Sequence, residues 1–185
     1  MKHPLPQKPV AELLDDNRLV IWDIEQARSI YNSNFFGKPL GDPRPKEDFD
    51  TPLLLDPVEA LYLAEQKIIK IQREKTDISY KKFQKIAEKT FKEFNEKYRV
   101  YKDLRVRGYV VTPGIKYGCD FAVYENGPGL DHAPYVVQII DSSEQLTAAD
   151  IVKAGRLATT VKKSFILSTI VNEEIRYLEF NWWKA

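Results

Sequence analysis

The sequence predicts an α/β (α+β) fold in two domains, a small mixed domain at residues 1–93 and a mixed-sheet domain at residues 94–185. Three observations lead to this prediction. The first half contains strong helix signals, the second half changes to short β-like runs separated by turns, and 185 residues suit one large domain or two small ones. Hydrophobic residues make up 43% and aromatic residues 12% of the chain, so it can form a core.

The first domain is predicted to contain a strand, a loop and a helix. Residues 18–23 have an apolar centre that is typical of a strand. Residues 37–57 are rich in proline and predict an extended loop. Asp56 then caps a helix, with Pro57 at its first position and Glu59 placed to complete a capping box.

Apolar spacing extends this helix and predicts a second one. The first helix keeps its apolar face through Val58, Leu61, Ala64 and Ile68. The second is predicted to run from about Ser79 to Tyr98 and to bridge the two domains, with a core stripe of Phe83, Ala87, Phe91, Phe94 and Tyr98.

The second domain is predicted to be a mixed sheet with one crossover helix. Its strands fall in GYVVT, DFAVY, PYVVQII, SFILSTI and IRYLEF. Thr147 and Asp150 form the start signal of the helix, whose buried face is predicted to hold Ile151, Ala154, Ala158 and Val161.

Charge is unevenly distributed along the chain, although the net charge is only +1. Residues 97–116 and 151–163 are basic, whereas residues 117–150 contain acids and neither lysine nor arginine. If the basic segments share a face, they present a positive patch to phosphate. Ordinary surface ion pairs between the blocks are the alternative interpretation.

Composition excludes several classes of protein. One cysteine, Cys119, excludes an intramolecular disulfide and a cysteine-rich zinc site. No apolar run approaches the roughly 20 residues of a membrane span, and the N-terminal residues lack a signal-peptide pattern. We therefore expect a cytoplasmic protein without a membrane partner. P-loop and Rossmann motifs are missing from the sequence, and its acids lack metal-ligand spacing, so we expect neither a cofactor nor a metal site.

Three residues of the second domain are candidates for acid–base chemistry. His132 follows a Gly-Pro-Gly turn, and histidine can donate a proton near neutral pH. Tyr124 ends a predicted strand; a tyrosine base would need a nearby cation, because its ordinary pKa is near 10. Lys163, at the end of the predicted helix, is such a cation. The alternatives are a structural histidine, a packing tyrosine and a solvated lysine.

Two segments of the second domain resemble a known family. Residues 101–140 (YKDLRVRGYVVTPGIKYGCDFAVYENGPGLDHAPYVVQII) and residues 154–163 (AGRLATTVKK) are similar to the C-terminal catalytic domain of archaeal and eukaryotic tRNA-splicing endonucleases. The resemblance covers about residues 97–171 and extends less closely into DPVEALYLAEQ of the first domain. It implies a nuclease-like mixed sheet at the C-terminus and a precursor tRNA substrate.

The resemblance also implies a mechanism that needs no metal. The family's tyrosine falls on Tyr124 and not on Tyr117, its histidine on His132 and its lysine on Lys163. Tyr124 would take the proton of the 2′-hydroxyl, His132 would protonate the leaving 5′-oxygen, and Lys163 would stabilise the charged transition state. RNA cut at a bulge–helix–bulge site would end in a 2′,3′-cyclic phosphate and a 5′-hydroxyl, and the need for a 2′-hydroxyl predicts specificity for RNA over DNA.

Further residues acquire roles by the same resemblance. Arg156 would clamp a flipped-out base by stacking, with Arg176 as a candidate for the second arm of the clamp. Ion pairing within the chain is the alternative role of Arg156. The loop of Asp141, Ser142, Ser143 and Glu144 is similar in place to a loop that docks into a partner subunit; a solvated loop is the alternative.

The family's assemblies imply four subunits or their two-subunit equivalents. By this resemblance, the sequence of residues 154–163 favours the catalytic subunit of a heterotetramer with a structural subunit, and a homotetramer is the other possibility. Trp182 and Trp183 would add apolar area to a C-terminal edge strand, or would belong to a buried last strand.

Two other functions stay open at the level of sequence. A noncatalytic structural subunit would bind RNA and partners only, although such paralogues lose the residues of the triad. A Mg²⁺-dependent DNA nuclease would need paired carboxylates, and Asp120 is the only acid well placed on a strand.

Overall fold

The structure is a computed structural model that describes residues 8–41, 48–143, 145–161 and 163–180. The chain divides into two compact units, Met1–Phe94 and Asn95–Ala185. Each unit combines helices with one sheet, which confirms the predicted α/β (α+β) class.

The first unit is built on a mixed six-stranded sheet with the order β3-β4-β2-β1-β5-β6. Strands β1 and β5 are parallel, and the other neighbours are antiparallel. The strands β1 to β6 span Val10–Leu13, Leu19–Ile21, Lys38–Pro39, Leu53–Leu55, Lys70–Arg73 and Thr76–Ile78. Strand β2 confirms the prediction made for residues 18–23.

Helix α1, Ile24–Asn34, was not predicted from the sequence. Its cap is Asp23, whose side chain accepts a hydrogen bond from the Gln26 N–H at 2.8 Å. Its buried residues are Ala27, Ile30 and Tyr31, at the spacing of one helix face. These two signals could have revealed it.

Helix α2, Pro57–Glu65, begins where the sequence predicts. The Asp56 carboxylate accepts from the Val58 N–H, and Glu59 accepts from the Asp56 N–H, both at 3.0 Å, so the capping box is confirmed. The extension of this helix to Ile68 is wrong. Lys67 adopts a left-handed backbone with φ 59°, which ends the helical path and leaves Ile68 exposed.

The loop predicted over residues 37–57 contains two strands, so this prediction is wrong in part. Strand β4 is the apolar run Leu53–Leu55, and both of its end residues are buried. Strand β3 lies at the edge of the sheet, where Pro39 is tolerated because an edge strand need not donate every N–H. Burial of the leucines outweighs the loop signal of the prolines.

The single helix predicted from Ser79 to Tyr98 is also wrong. The structure contains α3, Tyr80–Thr90, and α4, Phe94–Val106. Between them Phe91 is extended and Glu93 has a left-handed φ of 56°, so the helical path is interrupted. The predicted core stripe is largely retained, since each helix buries its own part of it. The buried members are Phe83, Ala87, Phe94 and Tyr98.

The second unit is built on a five-stranded sheet with the order β11-β10-β9-β8-β7. The strands β7 to β11 span Val110–Pro113, Phe121–Tyr124, Tyr135–Ile139, Ser164–Val171 and Glu174–Phe180. Each overlaps one of the five predicted runs. Strands β9 and β10 are parallel, and the other neighbours are antiparallel, so the predicted mixed sheet is confirmed.

Helix α5, Ala148–Val161, connects the parallel strands β9 and β10, as the predicted crossover does. Thr147 and Asp150 form the predicted capping box: the Thr147 hydroxyl accepts from the Asp150 N–H, and the Asp150 carboxylate accepts from the Thr147 N–H. Ala154 and Leu157 pack towards Val136 of β9. Ile151 is exposed, contrary to the prediction, and the side chains of residues 158 and 161 lie outside the described part of the chain.

Candidate active site

At one end of the second sheet β8 stops and β9 and β10 begin, and this arrangement brings the catalytic candidates to the same region. Strand β8 is antiparallel to β9, and β9 is parallel to β10, so the end of β8 lies beside the starts of β9 and β10. Tyr124 is the last residue of β8, His132 lies three residues before β9, and Lys163 immediately precedes β10. The topology therefore gathers residues that are far apart in sequence.

Tyr124 lies within the sheet at this end. It pairs with Val110 of β7, and its side chain is only 6% exposed. The register of β8 and β9 pairs Val123 with Tyr135, so the next position along β8 is level with the chain just before β9. Tyr124 is therefore close to the segment that carries His132.

His132 is exposed and belongs to the loop between β8 and β9. The neighbouring residue Asp131 closes this loop, because its carboxylate accepts the N–H of Asn126 at 2.9 Å and that of Gly127 at 3.0 Å. Gly127 and Gly129 have φ values of 137° and 91°, which side chains other than glycine rarely adopt. A compact turn thus presents the imidazole to solvent.

Asp131 is a site residue that was not predicted from the sequence. Burial favours its neutral form, but the N–H donors of Asn126 and Gly127 outweigh this effect and hold the pKa of the Asp131 carboxyl below its ordinary value. The signal available in the sequence was an Asn-Gly pair followed by an aspartate at turn spacing.

Lys163 is half-buried and is tied to the residue that follows His132. Its ammonium donates a hydrogen bond to the main-chain carbonyl of Ala133. One residue further along each segment, the Ser164 N–H donates to the Pro134 carbonyl at 2.9 Å. The structure therefore joins the Lys163 side chain directly to the main chain beside His132.

The ammonium of Lys163 also lies over the ring of Tyr117, 5.1 Å from its centroid. Tyr117 ends a 3₁₀ turn, Ile115–Tyr117, and packs against the buried cluster of the second unit. No local pattern in the sequence predicts this contact, because Tyr117 and Lys163 lie on different elements.

The two clamp candidates lie on the same side of the sheet. Arg156 is exposed on α5. Arg176 pairs with Thr169 in the β10–β11 ladder. Side chains alternate between the two faces of a strand, so Arg176 lies on the same face of β11 as Phe180, which packs on the α5 side. The Arg176 guanidinium also forms an ion pair with Glu174.

The loop after β9 is exposed at Asp141, Ser142 and Ser143, and Glu144 lies outside the described residues. The Ser143 N–H donates to the Asp141 carboxylate at 2.7 Å, which gives the loop a local turn. Trp182 and Trp183 also lie outside the described residues. Strand β11 is at the edge of the sheet formed by residues 110–180.

Asp120, the acid considered for a metal site, is bonded within the fold. Its carboxylate accepts from the Gln138 side chain and from the Ile139 N–H, both at 2.8 Å, and pairs with the Lys97 ammonium at 3.0 Å. Within the described ranges, no three histidine, cysteine or acidic side chains cluster in a way that could hold a metal ion.

Ion pairing consumes much of the basic segment 97–116. Besides the pair of Lys97, Arg99 binds Glu173 at 2.7 Å, and Arg107 binds Asp103 at 2.7 Å. Arg105 is buried and donates to the Val111 carbonyl. Arg105 is therefore held inside the fold, whereas the ion pairs of Arg99 and Arg107 are exposed, and the RNA-facing patch stays a prediction.

Comparison with known proteins identifies the class. The chain matches the family model described as tRNA intron endonuclease, catalytic C-terminal domain, over residues 94–177, and the one described as tRNA intron endonuclease, N-terminal domain, over residues 10–84. A two-domain nuclease is the class that these matches and the fold define.

Curated relatives agree over almost their entire length. The chain is 45% identical to the tRNA-splicing endonuclease of Hyperthermus butylicus over 171 residues, which are 90% of this chain and 94% of the relative. It is 41% identical to that of Sulfolobus acidocaldarius, over 94% of this chain and 97% of the relative. With that of Saccharolobus islandicus the identity is 38%, over 95% and 99%. The chain belongs to the tRNA intron endonuclease family.

None of the helices described here has the length and apolar character needed to cross a membrane.

Proposed function

We propose that this protein is the catalytic subunit of a tRNA-splicing endonuclease that cuts precursor tRNA at bulge–helix–bulge sites in the cytoplasm. One observation carries the proposal beyond family membership. The Lys163 ammonium is hydrogen-bonded to the residue after His132, at the end of the sheet where Tyr124 ends β8. A base, an acid and a cation within one region are what an internal transesterification requires.

The proposed reaction uses the substrate's own nucleophile. Tyr124 removes the proton of the 2′-hydroxyl, and the 2′-oxygen forms a bond to the adjacent phosphorus. The bond from phosphorus to the 5′-oxygen breaks, and His132 donates a proton to that oxygen. The products are a 2′,3′-cyclic phosphate and a 5′-hydroxyl, and the two protons exchanged with the protein balance.

Lys163 supplies the remaining chemistry. Negative charge builds up on the non-bridging phosphate oxygens as the 2′-oxygen attacks, and a fixed ammonium stabilises this charge without having to reorganise. The proposed reaction routes no step through a metal ion. The half-buried position of Lys163 shields its charge from solvent and strengthens the interaction.

RNA positioning is proposed to involve the arginines on the α5 side of the sheet. Arg156 is exposed and can stack on an unpaired base of the bulge. Arg176 is the candidate for the second arm, and it would exchange its ion pair with Glu174 for the RNA.

The active assembly is proposed to contain four subunits, with a heterotetramer that includes a structural subunit favoured over a homotetramer. The exposed loop Asp141–Ser143, with Glu144, is proposed to dock into a partner. Sizing of the protein alone and with a candidate partner subunit distinguishes these assemblies.

A substrate modification tests the proposed function. Bulge–helix–bulge RNA is incubated in EDTA with the protein, alone or with its partner subunit, and the ends of the products are analysed. We expect cyclic-phosphate and 5′-hydroxyl ends, and no cleavage when one 2′-deoxynucleotide stands at the splice site. Cleavage of the deoxy substrate would exclude the internal nucleophile, and a requirement for a divalent metal would exclude the metal-independent mechanism. Failure to cleave in every assembly would favour a noncatalytic subunit.

A further inference from the structure

The contact between Lys163 and the Tyr117 ring has no assigned purpose. A lysine side chain has four rotatable bonds and loses much rotamer freedom when it is fixed. The hydrogen bond to the Ala133 carbonyl restrains the ammonium on one side. The aromatic face, 5.1 Å away, restrains it from another side. Together the two contacts define one position for the charge.

Tyr117 is itself held by a tightly packed turn. Its N–H donates to the Gly114 carbonyl at 2.8 Å, and its ring packs against the cluster that contains Cys119 and Phe165. Any side chain at Gly114 would collide with Cys119, since a Cβ there would lie 2.6 Å from the Cys119 sulfur. The ring is thus fixed by the core.

The ammonium lies over the face of the ring. The face of an aromatic ring is electron-rich and attracts a cation, and phenylalanine offers this face as tyrosine does. The contact therefore depends on the ring and not on the hydroxyl. This distinguishes Tyr117 from Tyr124, whose hydroxyl would be needed for proton transfer.

We propose that Tyr117 is a positioning residue whose ring holds the Lys163 ammonium beside Ala133, ready for the charged transition state. This inference rests on the proposed role of Lys163. It assigns to the Tyr117 ring a function in catalysis, without any transfer of a proton to or from the Tyr117 hydroxyl.

Four variants test the inference in cleavage of a bulge–helix–bulge RNA under multiple turnover, with kcat and KM measured separately. Tyr117→Phe keeps the ring, whereas Tyr117→Leu and Tyr117→Met remove it but keep an apolar side chain on the cluster. Ile115→Ala changes an exposed residue of the same turn and is the matched control. Circular dichroism and thermal melting show which variants fold.

We expect Tyr117→Phe and Ile115→Ala to keep wild-type kcat, and we expect both ring-removing variants to lose about tenfold in kcat with little change in KM. Wild-type kcat in a folded Tyr117→Leu or Tyr117→Met variant would overturn the inference. A loss of kcat in Tyr117→Phe as large as that in Tyr124→Phe would also overturn it, since the Tyr117 hydroxyl, and not the ring, would then take part in the reaction.

A parallel arm separates this inference from the proposed function. If Lys163→Ala and His132→Ala both cleave at the wild-type rate, the proposed catalytic site is wrong. If both are inactive while the ring-removing variants are fully active, only the role of Tyr117 is wrong. Should Leu and Met both unfold the protein, Tyr117→Phe against Tyr124→Phe still decides whether the Tyr117 hydroxyl is dispensable.

Discussion

The ammonium of Lys163 donates a hydrogen bond to the carbonyl of Ala133, the residue that follows His132. The two partners are 30 residues apart in the chain, and the parallel pairing of β9 with β10 brings them together. The contact ties the proposed transition-state cation to the main chain of the residue that follows the proposed acid. Displacement of either segment should therefore disturb both functions.

Replacement of Lys163 by alanine should lower kcat by about 10²- to 10³-fold, because a preorganised charge at the transition state is lost. KM should change little, since the ammonium stabilises the transition state more than the bound substrate. Lys116→Ala, which removes an exposed lysine of the nearby turn, is the control and should keep its kcat. A loss confined to KM in Lys163→Ala would indicate that Lys163 only binds RNA.

Replacement of Asp131 by alanine should release the loop that carries His132. Three donors then lose their acceptor, namely the N–H groups of Asn126 and Gly127 and the Asn126 side-chain amide. We expect kcat to fall by about tenfold or more, because a poorly oriented acid reacts slowly. Glu125→Gln, at an exposed acid of the same loop, should leave kcat unchanged. Equal activity of Asp131→Ala and wild type would contradict this role.

The same carboxylate predicts a dependence of stability on pH. The pKa of Asp131 is lowered in the folded protein from its ordinary value of 3.8. Its contribution is therefore complete above that ordinary value and is lost as the pH falls through the lowered one. Between about pH 5 and about pH 3, the free energy of unfolding measured in urea should fall less in Asp131→Asn than in wild type. Parallel curves for the two proteins would contradict the prediction.

Asp120 should matter for folding and not for chemistry. Its largely buried carboxylate is bonded to the Lys97 ammonium, the Gln138 amide and the Ile139 N–H. Asp120→Asn should lower the free energy of unfolding by about 2 kcal/mol, because a largely buried carboxylate no longer offers its charge to the Lys97 ammonium and to its N–H donors. The control is Glu173→Gln, which neutralises the exposed partner of Arg99, a residue of α4 as Lys97 is. It should lower the free energy of unfolding by less than about 1 kcal/mol. Equal losses in the two variants would contradict the account.

Cys119 should resist alkylation in the folded protein. Burial, with a smaller effect of the Asp120 charge, raises the pKa of its thiol from 9.0 to about 11. The reactive thiolate is then about a hundredfold scarcer near pH 8 than in the unfolded chain. Iodoacetamide should label the native protein slowly and the urea-unfolded protein rapidly. Rapid labelling of the native protein would contradict this assignment.

Local signals allowed the strongest predictions from the sequence. The caps Asp56–Glu59 and Thr147–Asp150 lie three residues apart, and both helices begin where these residues predict. The five strand runs of the second domain were equally clear. The interruption at Glu93 was not predictable in the same way, because neither glycine nor proline marks its left-handed backbone.

The candidate site was only partly accessible from the sequence. Residue chemistry marked Tyr124, His132 and Lys163 as candidates and the resemblance assigned their roles, but no local rule shows that they meet. Their common location follows from the pairing of β8, β9 and β10, which is a long-range property. The contact of Lys163 with Tyr117 depends on the same pairing and on the packing of a 3₁₀ turn, so it was visible only in the structure.

The division of labour between His132 and Tyr124 can be separated by the leaving group. In RNA with sulfur in place of the 5′-oxygen at the splice site, the leaving group is a thiolate. The thiol of a cysteine has a pKa near 8.5, so such a group departs without a proton from an acid. The phenolate of Tyr124 is still required, because the 2′-hydroxyl is unchanged.

The most direct test of the central claim is single-turnover cleavage of the oxygen and sulfur substrates in EDTA by wild type, His132→Ala and Tyr124→Phe. On the oxygen substrate His132→Ala should be about 10²- to 10⁴-fold slower than wild type, the usual contribution of a general acid. On the sulfur substrate His132→Ala should recover to near the wild-type rate, while Tyr124→Phe stays slow on both. If His132→Ala cleaves the oxygen substrate as fast as wild type, or is equally slow on both substrates, His132 is not the acid and the account is wrong.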